Sequence, residues 1–376
     1  MFKTILTCLI LASVNLEAIS AETDKVICYY ASWATTRPGS GKVTPEDLDP
    51  NLCTHINYAF LGLTEDGSLE ILDPENDIEQ GNLKKVSDLK KINSNLKCLL
   101  SIGGWSASTA VFLSVATDPV KRANMAKSAI EFMQKYNYDG IDVDWEYPYD
   151  KENYVNLLRE LKQEFEPHGY LLTVAVAAIP TDAAYDVPSM TEVLDIINVM
   201  TYDFHGAWAG FTAQNSPLYS SSSEGQWQAD NLNCNSSITH WILEGAQPEK
   251  LTIGIAFYGK SFILSDPNNY GLGAPSSGPT EGGEYTQNIG TLGYNEICEF
   301  HSSGEILWDD EQQVPYLHDG EVWVGFDNPK SVALKAQYAI DNKLAGVMIW
   351  SIETDDYHSK CGNKLGLLNA INNVIN

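Results

Sequence analysis

The sequence predicts an α/β protein: a (β/α)8 barrel with a small α+β insertion between strand seven and the last helices. Three observations predict it. Short apolar, β-branched runs recur eight times, with amphipathic segments between them. Several runs are apolar almost throughout, as in Leu171-Leu172-Thr173-Val174-Ala175-Val176, which is the pattern of a parallel strand buried on both faces. One late stretch rich in Gly, Pro, Ser and Tyr breaks the rhythm and is too long for a simple connection. The competing architecture is an open doubly wound sheet. A chain of 376 residues suits an α/β barrel as one domain.

Taken in order, the chain opens with a segment of another kind. Lys3 supplies a positive charge, residues 5–14 an apolar core and Ala18-Ile19-Ser20 a small-residue cleavage pattern, so residues 1–21 read as a secretory signal peptide. The apolar run is too short to span a bilayer. Residues 22–376 then form the barrel domain of an exported, extracellular protein. Strands are predicted at 26–33, 53–63, 96–105, 140–147, 170–178, 196–204, 251–262 and 345–352. Helices are predicted at 83–92, 119–136, 151–166, 224–243 and 329–343; Asp118-Pro119 supplies an N-cap and a first-turn proline for the second. The insertion occupies about residues 263–328, with strand-like pieces at 306–308 and 322–324.

Acidic residues number 50 against 23 basic ones, a net charge of -27. Such a surface repels phosphate backbones and anionic lipid, which argues against nucleic acid and membrane as partners. Once the signal is removed, six cysteines remain: Cys28, Cys53, Cys98, Cys234, Cys298 and Cys361. Export to an oxidising compartment favours disulfides, but spacing alone cannot choose among the possible pairings. Asn235-Ser236-Ser237 is an N-glycosylation acceptor.

The informative segment is Asp139-Gly140-Ile141-Asp142-Val143-Asp144-Trp145-Glu146-Tyr147-Pro148. Side chains alternate along a strand, so Asp142, Asp144 and Glu146 share one face and Ile141, Val143 and Trp145 the other. In a barrel the acidic set points inward, and Glu146 lies at the C-terminal end of strand four, where barrel active sites form. Two like charges about 4 Å apart repel by roughly 4 kcal/mol at an effective dielectric near 20, or about three pKa units. At least one proton is therefore held within the group. A carboxylic acid kept protonated near neutral pH is what a glycosidic leaving group needs. A divalent-cation site and a solvated acidic strand are the competing readings; no His or Asn stands at matching spacing to complete a cation site.

The segment Asp139–Glu146 resembles the DGxDxDxE signature of family 18 glycoside hydrolases, the chitinases and chitinase-like lectins. Ser101-Ile102-Gly103-Gly104-Trp105 resembles the family's SxGG motif, and Met200-Thr201-Tyr202-Asp203 its MxYD motif. Val347-Met348-Ile349-Trp350-Ser351 resembles the segment carrying its strand-eight tryptophan. Together with Cys28-Tyr29-Tyr30 and Tyr58-Ala59-Phe60, these motifs cover nearly all of the mature chain.

The resemblance implies a secreted chitinase that hydrolyses β-1,4-linked N-acetylglucosamine with retention, without metal or cofactor, as a monomer. It implies that Glu146 is the general acid, that Asp144 orients the substrate's acetamido group, and that Asp142 shares a proton with Asp144. Tyr202 would hydrogen-bond the acetamido oxygen and Asp203 would hold the distorted sugar. The acetamido oxygen itself would be the nucleophile, giving an oxazolinium ion, an exception to the two-carboxylate scheme. Trp350 would be the floor beneath the scissile sugar, with Trp33 on the non-reducing side, Trp105 and Trp208 on the leaving side and Tyr258 in the wall. Tyr29, Gly104, Met200 and Lys260 complete the implied substrate-binding set.

The resemblance also implies disulfides Cys28–Cys53 and Cys298–Cys361, free thiols at Cys98 and Cys234, and non-proline cis peptides at Ala59–Phe60, Glu146–Tyr147 and Trp350–Ser351. Two positions depart from the family pattern. Lys260 stands where arginine is common, keeping the charge but losing the planar fork. Ser106 stands where asparagine is common. With no linker or cysteine-rich chitin-binding module after residue 376, poorer action on crystalline chitin than on soluble oligomers is expected. The alternatives are an endo-β-N-acetylglucosaminidase and a chitinase-like lectin that binds oligosaccharide without turnover. Such lectins usually replace the terminal Glu or its Asp partner, and here all three acidic residues are retained.

Overall fold

In the computed structural model, which describes residues 23–376, eight parallel strands form the barrel. They are β1 (Lys25–Ala31), β2 (His55–Leu63), β3 (Lys97–Gly103), β4 (Gly140–Asp144), β5 (Leu171–Ala177), β6 (Ile196–Met200), β7 (Leu251–Ala256) and β8 (Gly346–Trp350). The signal reading of residues 1–21 lies outside the described residues. Consecutive strands pair, and β8 pairs back onto β1, with Val26 opposite Val347 and Cys28 opposite Ile349. That closure excludes the open doubly wound sheet.

Strand alternation builds two cores from one sheet. On β1, Val26, Cys28 and Tyr30 face the helices and join the large outer core. Ile27 and Tyr29 point into the barrel with Ala59, Ala175, Ile196, Met200 and Met348, beneath Phe60, Tyr202 and Trp350. The helix expected at 119–136 spans Pro119–Tyr136, and Asp118 caps it by accepting from the Val120 N–H. The helix expected at 224–243 is two, Gln226–Asn231 and Cys234–Leu243. Asn233 between them is extended, and its side chain caps the second by accepting from the Ser236 N–H. Asn235 sits in that first turn and its amide oxygen accepts from Tyr338.

The run read as one strand over 251–262 is a second correction. The seventh barrel strand stops at Ala256, and Tyr258–Leu264 leaves the barrel as a strand of the insertion. Gly259-Lys260-Ser261 interrupts the apolar run just past the break, the one sign of it in the sequence. The break falls at Phe257, whose N–H donates to the Trp350 carbonyl and whose carbonyl accepts from the Tyr294 N–H. The insertion is an antiparallel sheet in the order Ser276–Pro279, Tyr258–Leu264, Val322–Gly325, Val314–Asp319, Glu305–Asp309. Thr291–Gly293 pairs on the near end of Tyr258–Leu264, and helix Tyr294–Phe300 follows it.

Disulfides join Cys28 to Cys53 and Cys298 to Cys361, while Cys98 and Cys234 are free and buried. The three non-proline cis peptides are where the resemblance puts them. Among the described residues, no helix is long and apolar enough to cross a membrane. The ends of the barrel strands frame the floor and walls of a cleft.

Candidate active site

The acidic face of β4 leads into this cleft. Asp142, fully buried, is the best satisfied of the three: Tyr29 (2.7 Å), Ser101 (2.8 Å), Thr173 (2.6 Å) and Asn198 (3.4 Å) donate to its oxygens. Burial raises its pKa and those four donors pull the other way. Asp144 is 3% exposed, and its Oδ1 has no hydrogen-bond partner among the described residues. Its pKa is raised well above the ordinary carboxylate value, first by burial, then by the charges of Glu146 and Asp142. Glu146 lies two residues past the end of β4. Burial, with the negative charge of Asp203 adding to it, pushes its carboxyl up to about 7. Between them Trp145 points to the other face, stacked on Phe112 at 5.3 Å and 13°, so the strand-like alternation outlasts β4.

Two glycines let β3 approach this ladder. A Cβ on Gly103 would lie 2.0 Å from the Asp144 carbonyl oxygen, and one on Gly104 would lie 2.5 Å from the Phe60 ring. Both have positive φ, and the Gly104 N–H donates to the Asp144 carbonyl (2.8 Å).

Opposite β4, the chain leaving β6 presents Tyr202 and Asp203. Burial, then the charges of Asp144 and Glu146, raises the Tyr202 pKa well above 10, so the phenol stays protonated and able to donate. Its only hydrogen-bond neighbour among the described residues is the Met348 sulfur at 3.7 Å, a weak acceptor. Asp203 adopts a left-handed backbone, and its Oδ1 accepts from Tyr258 (2.7 Å) and Lys260 (2.9 Å).

The aromatic floor is built around Trp350. Its ring lies 5.6 Å from Phe60 at 19°, 5.6 Å from Tyr29 and 6.3 Å from Trp33. Trp33 is 42% exposed and Trp105 79%, so both offer free ring faces. The cleft encloses about 1240 Å³. Of the residues expected from sequence, Tyr29, Trp33, Trp105, Asp144, Glu146, Met200, Tyr202, Asp203, Tyr258 and Trp350 line it. Asp142 lies beneath the floor, and Gly104 stands behind its neighbour Gly103 in the wall. Trp208 and Lys260 fall outside the lining: the lysine ammonium lies 5.7 Å over the Trp208 ring and 5.3 Å from the Tyr258 ring.

The end of β2 and the segment after it form a wall not expected from the sequence, where Gly62, Leu63, Glu70, Leu72, Asp73 and Asp77 line the cleft. Their only signal was position at or just beyond a strand's C-terminal end. Among the described residues, no three His, Cys, Asp or Glu side chains form a metal-binding group.

The sequence profile of Glycosyl hydrolases family 18 matches residues 25–355. An endochitinase of Manduca sexta is 35% identical over 369 residues, covering 92% of this chain and 66% of the relative. A probable endochitinase of Caenorhabditis elegans is 37% identical and covers 93% of this chain and 59% of its own length. The chain therefore spans less than two thirds of either relative. Among solved structures, the Group IV chitinase of Ostrinia furnacalis superposes with a TM-score of 0.90 at 44% identity, covering 94% of this chain and 99% of that one. Human YKL-39, described as a pseudo-chitinase that retains chitooligosaccharide binding, superposes with a TM-score of 0.87 at 34% identity, covering 94% and 99%. With the profile running from the first barrel strand to beyond the eighth, and its carboxylate ladder assembled at the floor of the cleft, the chain belongs to the family 18 glycosyl hydrolases.

Proposed function

We propose that the protein is a secreted chitinase cleaving β-1,4 linkages between N-acetylglucosamine units with retention of configuration. The observation that carries this reading is a carboxyl group held near pKa 7 at the cleft floor, backed by a buried carboxylate with a free oxygen. Glu146 donates its proton to the glycosidic oxygen as the C1–O bond breaks. The acetamido oxygen of the sugar contributing C1 supplies the electron pair and closes an oxazolinium ring. Asp144 accepts from the acetamido N–H through its unpartnered Oδ1, while Asp142 anchors the ladder from below. Tyr202, kept neutral, donates to the acetamido oxygen. Glu146, now ionised, takes a proton from water as that water attacks C1, so the β-anomer is restored.

The aromatic surfaces of Trp350, Trp33 and Trp105 suit the C–H faces of pyranose rings. Lys260 acts on the sugar through Asp203, to which it is bonded. The two disulfides support an oxidising compartment, in agreement with the signal reading. Incubating the protein with chitopentaose and following product anomers by NMR tests the proposal. Early release of β-anomeric short oligomers is expected. Tight binding of intact pentaose with no products would instead make the protein a lectin, as the likeness to YKL-39 allows.

A further inference from the structure

Lys335 has no place in the chemistry above, yet it is a fully buried lysine. It sits on helix Pro329–Asp341, and its ammonium has three hydrogen bonds: to the Ser216 carbonyl (2.7 Å), the Ser216 hydroxyl (2.8 Å) and Asp327 (2.6 Å). The other Asp327 oxygen accepts from Ser331 (2.7 Å). A buried ion pair is weak evidence for a stabilising role, because an apolar pair of the same volume does as well or better. What the pair holds is more telling. The Ser216 hydroxyl donates to the Thr201 carbonyl (2.7 Å). Its neighbour Asn215 accepts from the Asp203 N–H through its side chain (3.1 Å) and from the Phe204 N–H through its backbone (3.1 Å), and its amide donates to the Tyr258 carbonyl (3.2 Å).

Residues 215–216 thus strap down 201, 203 and 204, with Tyr202 fixed between them. Asp203 has a φ of 58°, a conformation that a non-glycine residue keeps only where its surroundings over-determine it. We infer that Lys335 and Ser216 are positioning residues that hold the Tyr202–Asp203 end of β6 in its working geometry, acting on turnover rather than on substrate affinity. The inference rests on the chitinase reading. Neither residue lines the cleft, so neither touches substrate.

Two full-length variants test it on chitopentaose. Ser216→Ala removes the bond to Thr201 without stranding a charge. The double variant Lys335→Met/Asp327→Asn removes the ammonium and its counter-charge together. Both should lose kcat on the order of tenfold to a hundredfold, as sub-ångström misplacement of reacting groups does, with KM within about threefold of wild type. The basic limb of the kcat/KM profile should also move to lower pH. Glu146 faces Asp144, Asp203, Tyr147, Tyr185 and Tyr202, and of these the Asp203 charge is the one the strap positions. A purely structural brace would lower the melting temperature and leave that limb in place.

Wild-type kcat and pH profile in Ser216→Ala would overturn the inference, whatever happens to the double variant's folding. Inactive wild-type protein would overturn the chitinase reading and this inference with it. Active wild type with unaffected variants would overturn only the second.

Discussion

Asp144 and Asp327 are buried to the same degree, 3% and 2% exposed, yet their surroundings differ in kind. Asp327 receives the Lys335 ammonium and the Ser331 hydroxyl, one on each oxygen. Asp144 has no cation, leaves Oδ1 without a partner, and stands between two further acids. Arg37 and Glu353 repeat the first arrangement beside the cleft, where Glu353 also accepts from the Ser351 hydroxyl and the Ala31 N–H. Burial is thus common to structural and chemical carboxylates. What separates these cases is compensation: Asp327 and Glu353 each meet a cation, and Asp144 is left with hydrogen-bonding capacity for a substrate to meet.

Breaking each arrangement should have opposite signatures. The largest effect is expected at Glu146: Glu146→Gln should lose on the order of 10²–10⁴ in kcat while still binding chitopentaose, measured by initial rates and calorimetry. Next comes Asp327→Asn, which strands a buried ammonium and should cost about 3–5 kcal/mol in chemical denaturation.

Asp144→Asn should do the reverse to stability. The folded-state pKa of Asp144 is raised, so the folded protein holds this proton after the unfolded chain has released it. Wild-type stability is therefore lost progressively as pH rises above the ordinary carboxylate range. The neutral amide escapes that loss, so the variant should melt a few degrees higher than wild type at pH 8 and with no difference at pH 4, while losing turnover. The smallest effect is in the wild type alone. The proposed mechanism uses Glu146 in its protonated form, and its carboxyl is pushed up to about 7, so kcat/KM should fall tenfold per pH unit above about that value. A flat profile to pH 9 would put the acid elsewhere.

How legible this was in the sequence follows the same division. The carboxylate ladder could be read because strand alternation separates Asp142, Asp144 and Glu146 from Trp145, and the separation survives two residues past the end of β4. The barrel could be read because short, largely apolar runs recur eight times with amphipathic segments between them. The break at Phe257 was harder to read: Gly259-Lys260-Ser261 interrupts the apolar run beyond it, but only the contacts with Trp350 and Tyr294 place the break. The helix Thr109–Thr117 carries two local signals, the capping Ser108 and the i, i+3, i+4 spacing of Phe112, Val115 and Ala116. Lys335 looked like any lysine on an amphipathic helix. Its burial depends on Ser216, 119 residues away, and no local pattern encodes such a partner. The wall after β2 was missed for the same reason.

The central claim is that the protein supplies the acid and the substrate supplies the nucleophile. The most direct measurement compares initial rates on chitopentaose and on the fully deacetylated glucosamine pentamer at pH 6. Turnover of the first and none of the second is expected, because the amine has no carbonyl oxygen to attack C1. Cleavage of both at similar rates would contradict the claim and require a nucleophile other than the acetamido oxygen, either a protein group or water attacking directly.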